Sequence, residues 1–179
     1  MSFDPVSNPR TLHLLVVVAQ AARGEDLRHR LASLSRGRPL ELRVLAPAFA
    51  SSALKYLASD VDEGIRKARG RLERSLVEMS GERRLHAAGE VGEADPLMAI
   101  DSALVSFPAD EIVIVPSPQR DQWAEKELFE HVCERFDLPV RQIELEDDET
   151  GTHSVETACT LAARASSSWP GNAASARRL

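Results

Sequence analysis

Residues able to grip an anion gather in two stretches of the chain. Ser117, Gln119 and Arg120 fall between Pro116 and Trp123, and Gln20 follows Ala19 directly after an apolar run. A guanidinium, a hydroxyl and carboxamides are the donors that phosphate or carboxylate oxygens need, and an indole such as Trp123 can stack on a planar ring. Gly89 and Gly92 would let backbone come close to a ligand. Tyr56, the single tyrosine, falls where a loop could cover such a site. Each also has an ordinary structural use, as a turn serine, a loop arginine, a packing aromatic or a turn glycine.

Catalytic patterns are missing from the sequence. It has no G-x-G-x-x-G, no Walker P-loop and no G-x-S-x-G. A phosphorylatable receiver needs an acidic pair after its first strand, where this chain has Ala19-Gln20-Ala21. The five histidines are scattered, and His131 and Cys133, two apart on an expected helix, do not share a face. Cys133 and Cys159, the two cysteines, form neither a disulfide framework nor a zinc pattern. No catalytic residue and no metal site is expected.

Composition narrows the class further. The 179 residues suit one domain with or without a tail, and 43% hydrophobic with 28% charged residues is a globular balance. The net charge of −6 supplies no basic stripe, so no nucleic-acid partner is expected. No apolar run reaches the roughly 18 to 20 residues of a membrane span. Arg10, the apolar run 12–18 and Ala19-Gln20-Ala21 have the outline of a secretion signal. His13 interrupts that run, Asp4 offsets Arg10, and cleavage would remove the best strand in the chain. We therefore read a strand and expect a cytoplasmic protein.

The elements that must position these residues alternate. Strands are expected at 12–19, 40–46, 85–91, 110–115 and 140–145, the first and fourth the most apolar and so central. Helices are expected at 24–35, 60–79, from Pro96 onward and at 123–136. The second of these carries Val61, Ile65, Ala68, Leu72, Leu76 and Met79 on one face and i,i+4 charge pairs on the other. Asp95 is a good N-cap, with Pro96 at the first helical position. This alternation predicts an α/β domain, three layers deep, with a parallel sheet. Residues 1–10 are expected to be an arm. Residues 146–179, acidic and then rich in Ser and Ala, are expected to be a tail with one short helix at 155–165.

Three segments resemble the universal stress protein superfamily: Gly89-Glu90-Val91-Gly92-Glu93-Ala94-Asp95-Pro96-Leu97-Met98-Ala99-Ile100, Ala109-Asp110-Glu111-Ile112-Val113-Ile114-Val115, and Leu138-Pro139-Val140. The resemblance covers 11–145. It implies a five-stranded parallel sheet of order 3-2-1-4-5 and often a dimer through the last strand. ATP-binding members carry G-x2-G-x9-G-S/T after the fourth strand. Those positions fall here on Pro116, Gln119, Phe129 and Glu130, and none matches. The adenine-side aspartate of such members falls near Ala19, also unmatched.

Two functions are expected from this reading. The first is a non-catalytic regulatory or interaction protein, dimeric through Arg141, Ile143 and Leu145 on one face of an exposed last strand. ATP and AMP are disfavoured as ligands. The second is a nucleotide- or phosphate-binding member, hydrolytic or not, using the non-glycine loop 116–123. In both, a ligand crevice is expected beyond the first and fourth strands, lined by Ala19, Gln20, Gly89, Gly92, Pro116, Ser117, Gln119, Arg120 and Trp123.

Overall fold

The computed structural model describes residues 10–21, 24–49, 61–79, 85–116, 128–148 and 151–159. Two segments are apolar along nearly their whole length, Leu-His-Leu-Leu-Val-Val-Val and Glu-Ile-Val-Ile-Val. They form strands β1 (Leu12–Val18) and β4 (Glu111–Val115), side by side in the middle of the sheet. Each residue of β1 except His13 is buried, and all five of β4 are. A strand can be apolar on both faces only if both faces are covered, so helices must lie above and below.

The remaining elements follow the expected alternation. They are α1 (Gly24–Leu34), β2 (Leu40–Pro47), α2 (Val61–Met79), β3 (Leu85–Gly92), α3 (Pro96–Ser106), α4 (Leu128–Arg135) and β5 (Val140–Asp148). The sheet order is β3-β2-β1-β4-β5-β6, and β1 through β5 are parallel. α1 and α2 cover one face, where Leu27, Leu31, Ala68, Leu72 and Met79 meet Leu14, Val16, Leu42 and Val44. α3 and α4 cover the other, where Ala99, Ile100, Ala103 and Val132 meet Leu15, Val17, Ile112 and Ile114. Among the described residues, no helix is long and apolar enough to cross a membrane.

Local chemistry sets the element ends. The Asp95 carboxylate accepts from the backbone N–H groups of Leu97 (2.8 Å) and Met98 (3.3 Å), and Pro96 opens α3. After α1 the chain turns through Arg36 and Gly37, both at positive φ, where glycine carries no steric penalty. On α2, Lys67 pairs with Glu63 at 2.7 Å, one turn earlier. Residues 123–127, expected to begin the last helix, and Asp60, expected to begin the second, lie outside the described residues.

The sheet has six strands, one more than expected. β5 continues past Leu145 to Asp148, and a sixth strand, β6 (Gly151–Cys159), returns antiparallel along it. The expected helix at 155–165 is therefore wrong over its described part, which is strand through Cys159. Thr152, Val155 and Thr157 are β-branched and favour extended backbone, and the partner that holds them, β5, is adjacent. The expected arm 1–10 is described only at Arg10, and 160–179 lie outside the described residues.

Gly89 and Gly92 belong to packing. A Cβ on Gly92 would lie 2.6 Å from the Ala99 Cβ and 2.9 Å from Leu45, so it would push α3 off the sheet. A Cβ on Gly89 would meet the flexible ends of Leu72 and Leu76 at 2.5 and 2.9 Å. Gly92→Ala is expected to cost about 1 to 3 kcal/mol, because the atom it meets is fixed to a helix backbone. Gly89→Ala is expected to cost less, since leucine tips can move. Urea unfolding of the two variants checks the order.

Candidate functional site

The strand order reverses between β1 and β4, where β2 and β3 lie to one side and β5 to the other. In open sheets of this kind, loops diverge at such a point and leave a crevice at the carboxyl ends of the strands. The two strands stay in register to Val18 and Val115, and the Ala19 N–H donates to the Val115 carbonyl at 2.9 Å. Beyond that bond come buried Ala19, half-buried Gln20 and Ala21 on one side, and half-buried Pro116 on the other. The structure thus brings Ala19, Gln20 and Pro116 together. Ser117, Gln119, Arg120, Trp123 and Tyr56 lie outside the described residues.

Gly89 and Gly92 do not join this group. They lie on β3, two strands from β1 and three from β4, and Gly92 is opposite Pro47. Just past that pair the Ala48 N–H donates to the carbonyls of Gly92 (3.2 Å) and Glu93 (3.1 Å), which closes β2 against β3. Their expected place in the crevice is corrected by the tight approach of α2 and α3, which a side chain there would block.

Among the described residues, the buried charged side chains are Arg71 and Glu111. A buried charge must be held by partners, and these two sit at opposite ends of the sheet. Arg71, on α2, donates to the Pro47 carbonyl at the end of β2, and its guanidinium lies 5.5 Å from the centre of the Phe49 ring. It fixes the carboxyl end of β2 and the start of the loop that follows. Sequence periodicity did not find it, because Arg71 reads as part of the charged side of a helix.

Glu111 begins β4 and receives Arg141 of β5, which also donates to Glu156 of β6. One guanidinium thus joins three neighbouring strands. Burial alone would lower the Arg141 pKa, but its hydrogen bonds and charges with Glu156 and Glu111 outweigh that and raise it above the ordinary arginine value. Ile143, two residues on, has no exposed surface and packs in the core beneath α1 and α2. Leu145 is opposite Ser154 of β6. The expected contact surface of Arg141, Ile143 and Leu145 is therefore inside the sheet: β6 occupies the edge of β5 that was expected to be open.

A third polar group crosses the amino-terminal ends of the strands on the α3 side. His86, Glu41 and His13 stand in register on β3, β2 and β1. His13 Nε2 lies 3.3 Å from Glu41 Oε2, and Nδ1 lies 3.8 Å from Asp110 Oδ2. Asp110 also accepts from the His13 backbone N–H at 2.9 Å and from Arg10 at 3.2 Å. The His13 ring meets Phe107 edge-on at 5.6 Å, and the Arg43 guanidinium lies 5.1 Å over the same ring. Arg43 approaches Glu90 only to 3.8 Å, which leaves buried Arg43 Nε and Glu90 Oε1 without a hydrogen-bond partner. Both ring nitrogens of His13 face carboxylates, so neither is directed at a substrate. Among the described residues, no three His, Cys, Asp or Glu side chains are grouped to hold a metal ion, and Cys133 and Cys159 form no disulfide.

Comparison with known proteins adds no assignment: no model of a protein family matches the chain, and no curated protein matches it.

Truncating Arg141 strands a buried carboxylate and cuts the tie to β6. Arg141→Ala is expected to lower stability by about 2 to 3 kcal/mol, below the range for a fully buried pair because this one is partly exposed. Glu156→Gln, which keeps a hydrogen-bond acceptor, is expected to cost less than about 1 kcal/mol. Chemical unfolding of both variants measures the difference.

Proposed function

We propose that this chain is a non-catalytic binding or regulatory domain of the universal stress type, and that it does not hold ATP through a glycine-lined loop. The observation that carries this reading is the pair of residues at the mouth of the crevice. Ala19 ends β1 without a carboxylate to bind adenine or ribose, and Pro116 follows β4 without an N–H to offer a phosphate. Phosphate sites at such positions depend on backbone donors that glycines leave accessible. The described charged side chains lie elsewhere and pair with one another, which is the economy of a scaffold rather than of an active site.

A second reading has one observation in its favour. Gln20 is half-buried at the switch point, where its carboxamide can donate to an anion. With Ser117 and Arg120 from the loop after β4, it would make a nucleotide- or phosphate-binding member that needs no glycines.

Thermal unfolding with and without millimolar Mg-ATP, AMP and inorganic phosphate separates the two. A ligand at roughly 100 times its dissociation constant adds about 2.7 kcal/mol to the folded state, a shift of several degrees for a domain of this size. The first reading expects no shift from any of the three. A shift with ATP or AMP that Arg120→Ala abolishes establishes the second.

A further inference from the structure

We propose that the outer face of α3 is a docking surface for a basic amphipathic helix of another protein, which seats an apolar side chain between Met98, Asp101, Ser102 and Val105. This rests on reading the chain as an interaction protein, and it goes further by naming the surface and the chemistry of the partner.

The case begins with a helix that is apolar on its solvent side as well as its core side. Ala99, Ile100 and Ala103 of α3 are buried against the sheet. The opposite side of such a helix normally carries charge. Pro-Leu-Met-Ala-Ile-Asp-Ser-Ala-Leu-Val-Ser has one ionisable side chain, Asp101. Met98 is 57% exposed and Val105 89%. Seven residues apart, they share one line along the helix, with Leu97 and Leu104 half-buried beside them. Val77 of α2, also exposed, differs: Glu73 and Arg74, one turn earlier, are its neighbours. A lone surface valine of that kind is ordinary, whereas an uncharged stripe along two turns of an outward helix face is a mark of an interaction surface.

The occupant follows from the shape and charge of this face. Four residues of one helix form the hole that takes a knob from another, at i, i+3, i+4 and i+7. Met98, Asp101, Ser102 and Val105 have that spacing. Two corners of the hole are apolar. The other two are polar but already engaged: the Ser102 hydroxyl donates to Glu93 at 2.9 Å, and Asp101 accepts from Arg135 Nε at 3.1 Å. An apolar knob can therefore enter without leaving either polar group unpaired. The surrounding charge is negative. Asp95 precedes α3, and α4 adds exposed Glu130 and Glu134. The one arginine or lysine on these two helices, Arg135, is the one held by Asp101. Lysine or arginine flanking the partner's apolar stripe would meet these carboxylates. The anionic headgroups of a membrane would be repelled by them.

Fluorescence anisotropy of the full chain with a labelled synthetic helix of leucine and lysine, its leucines at heptad spacing on one face, tests this. The wild type is expected to bind it, and to bind more weakly as salt is raised. Val105→Lys and Met98→Lys are each expected to weaken binding by about tenfold or more, as loss of a central anchor does. Val77→Lys, which puts the same charge on α2, is expected to bind like the wild type. Met98 and Val105 are exposed, so their variants are expected to unfold at the wild-type temperature. A wild type that does not bind the helix overturns the proposal. So does equal binding by the wild type and Val105→Lys, since charge alone would then explain the attraction. Equal affinity for a helix with glutamate in place of lysine also overturns it. A wild type that sediments as a dimer, beside a Val105→Lys variant that does not, overturns it too, because the face is then a contact between copies. None of these outcomes involves a nucleotide, so failure here leaves the thermal-unfolding test of the proposed function intact.

Discussion

The pairing of β1 with β4 is the constraint on which the rest depends. Both strands are apolar on both faces, so neither can lie at an edge or face water. That requirement calls for helices on both sides, and right-handed crossovers then put α1 and α2 on one face and α3 and α4 on the other. It also places the switch point between these two strands. The position of the crevice is thus a consequence of burying Leu15, Val17, Ile112 and Ile114, before any ligand is considered.

Polar chemistry is displaced to the margins of this apolar centre. Arg71 holds the carboxyl end of β2. Arg141 ties β4, β5 and β6 together, and His13 with Asp110 and Glu41 spans the amino-terminal ends. Each group answers a structural need, since a charge near the core must meet an opposite charge or a carbonyl. Among the described residues at the switch point, Ala19 brings no carboxylate and Pro116 no N–H.

The legible parts of the fold were those fixed by local pattern. The apolar runs of β1 and β4, the helical spacing from Ala68 to Met79, and Asp95 followed by Pro96 each specify an element from neighbouring residues alone. The central place of β1 and β4 followed from them, and the order of β1 to β5 is the one the resemblance implies. What escaped was decided at a distance. β6 has a tail-like composition of Thr, Ser and Ala, and becomes a strand by pairing with β5 and through the contact of Glu156 with Arg141, fifteen residues earlier. Gly89 and Gly92 looked like glycines of a ligand loop because spacing does not reveal that α2 and α3 press on them. Topology alone puts Ala19, Gln20 and Pro116 at the switch point, whereas the significance of Arg71 needed its buried partner Pro47.

The account turns on β6, which pairs along β5 and closes that side of the sheet. Amide hydrogen exchange along 152–158 reads both sides at once. Successive N–H groups of an edge strand point alternately inward and outward, so only the inward ones are protected when the edge is open. The account predicts slow exchange at alternate positions through the segment, those whose N–H groups face β5. Rapid exchange throughout would contradict the sixth strand itself.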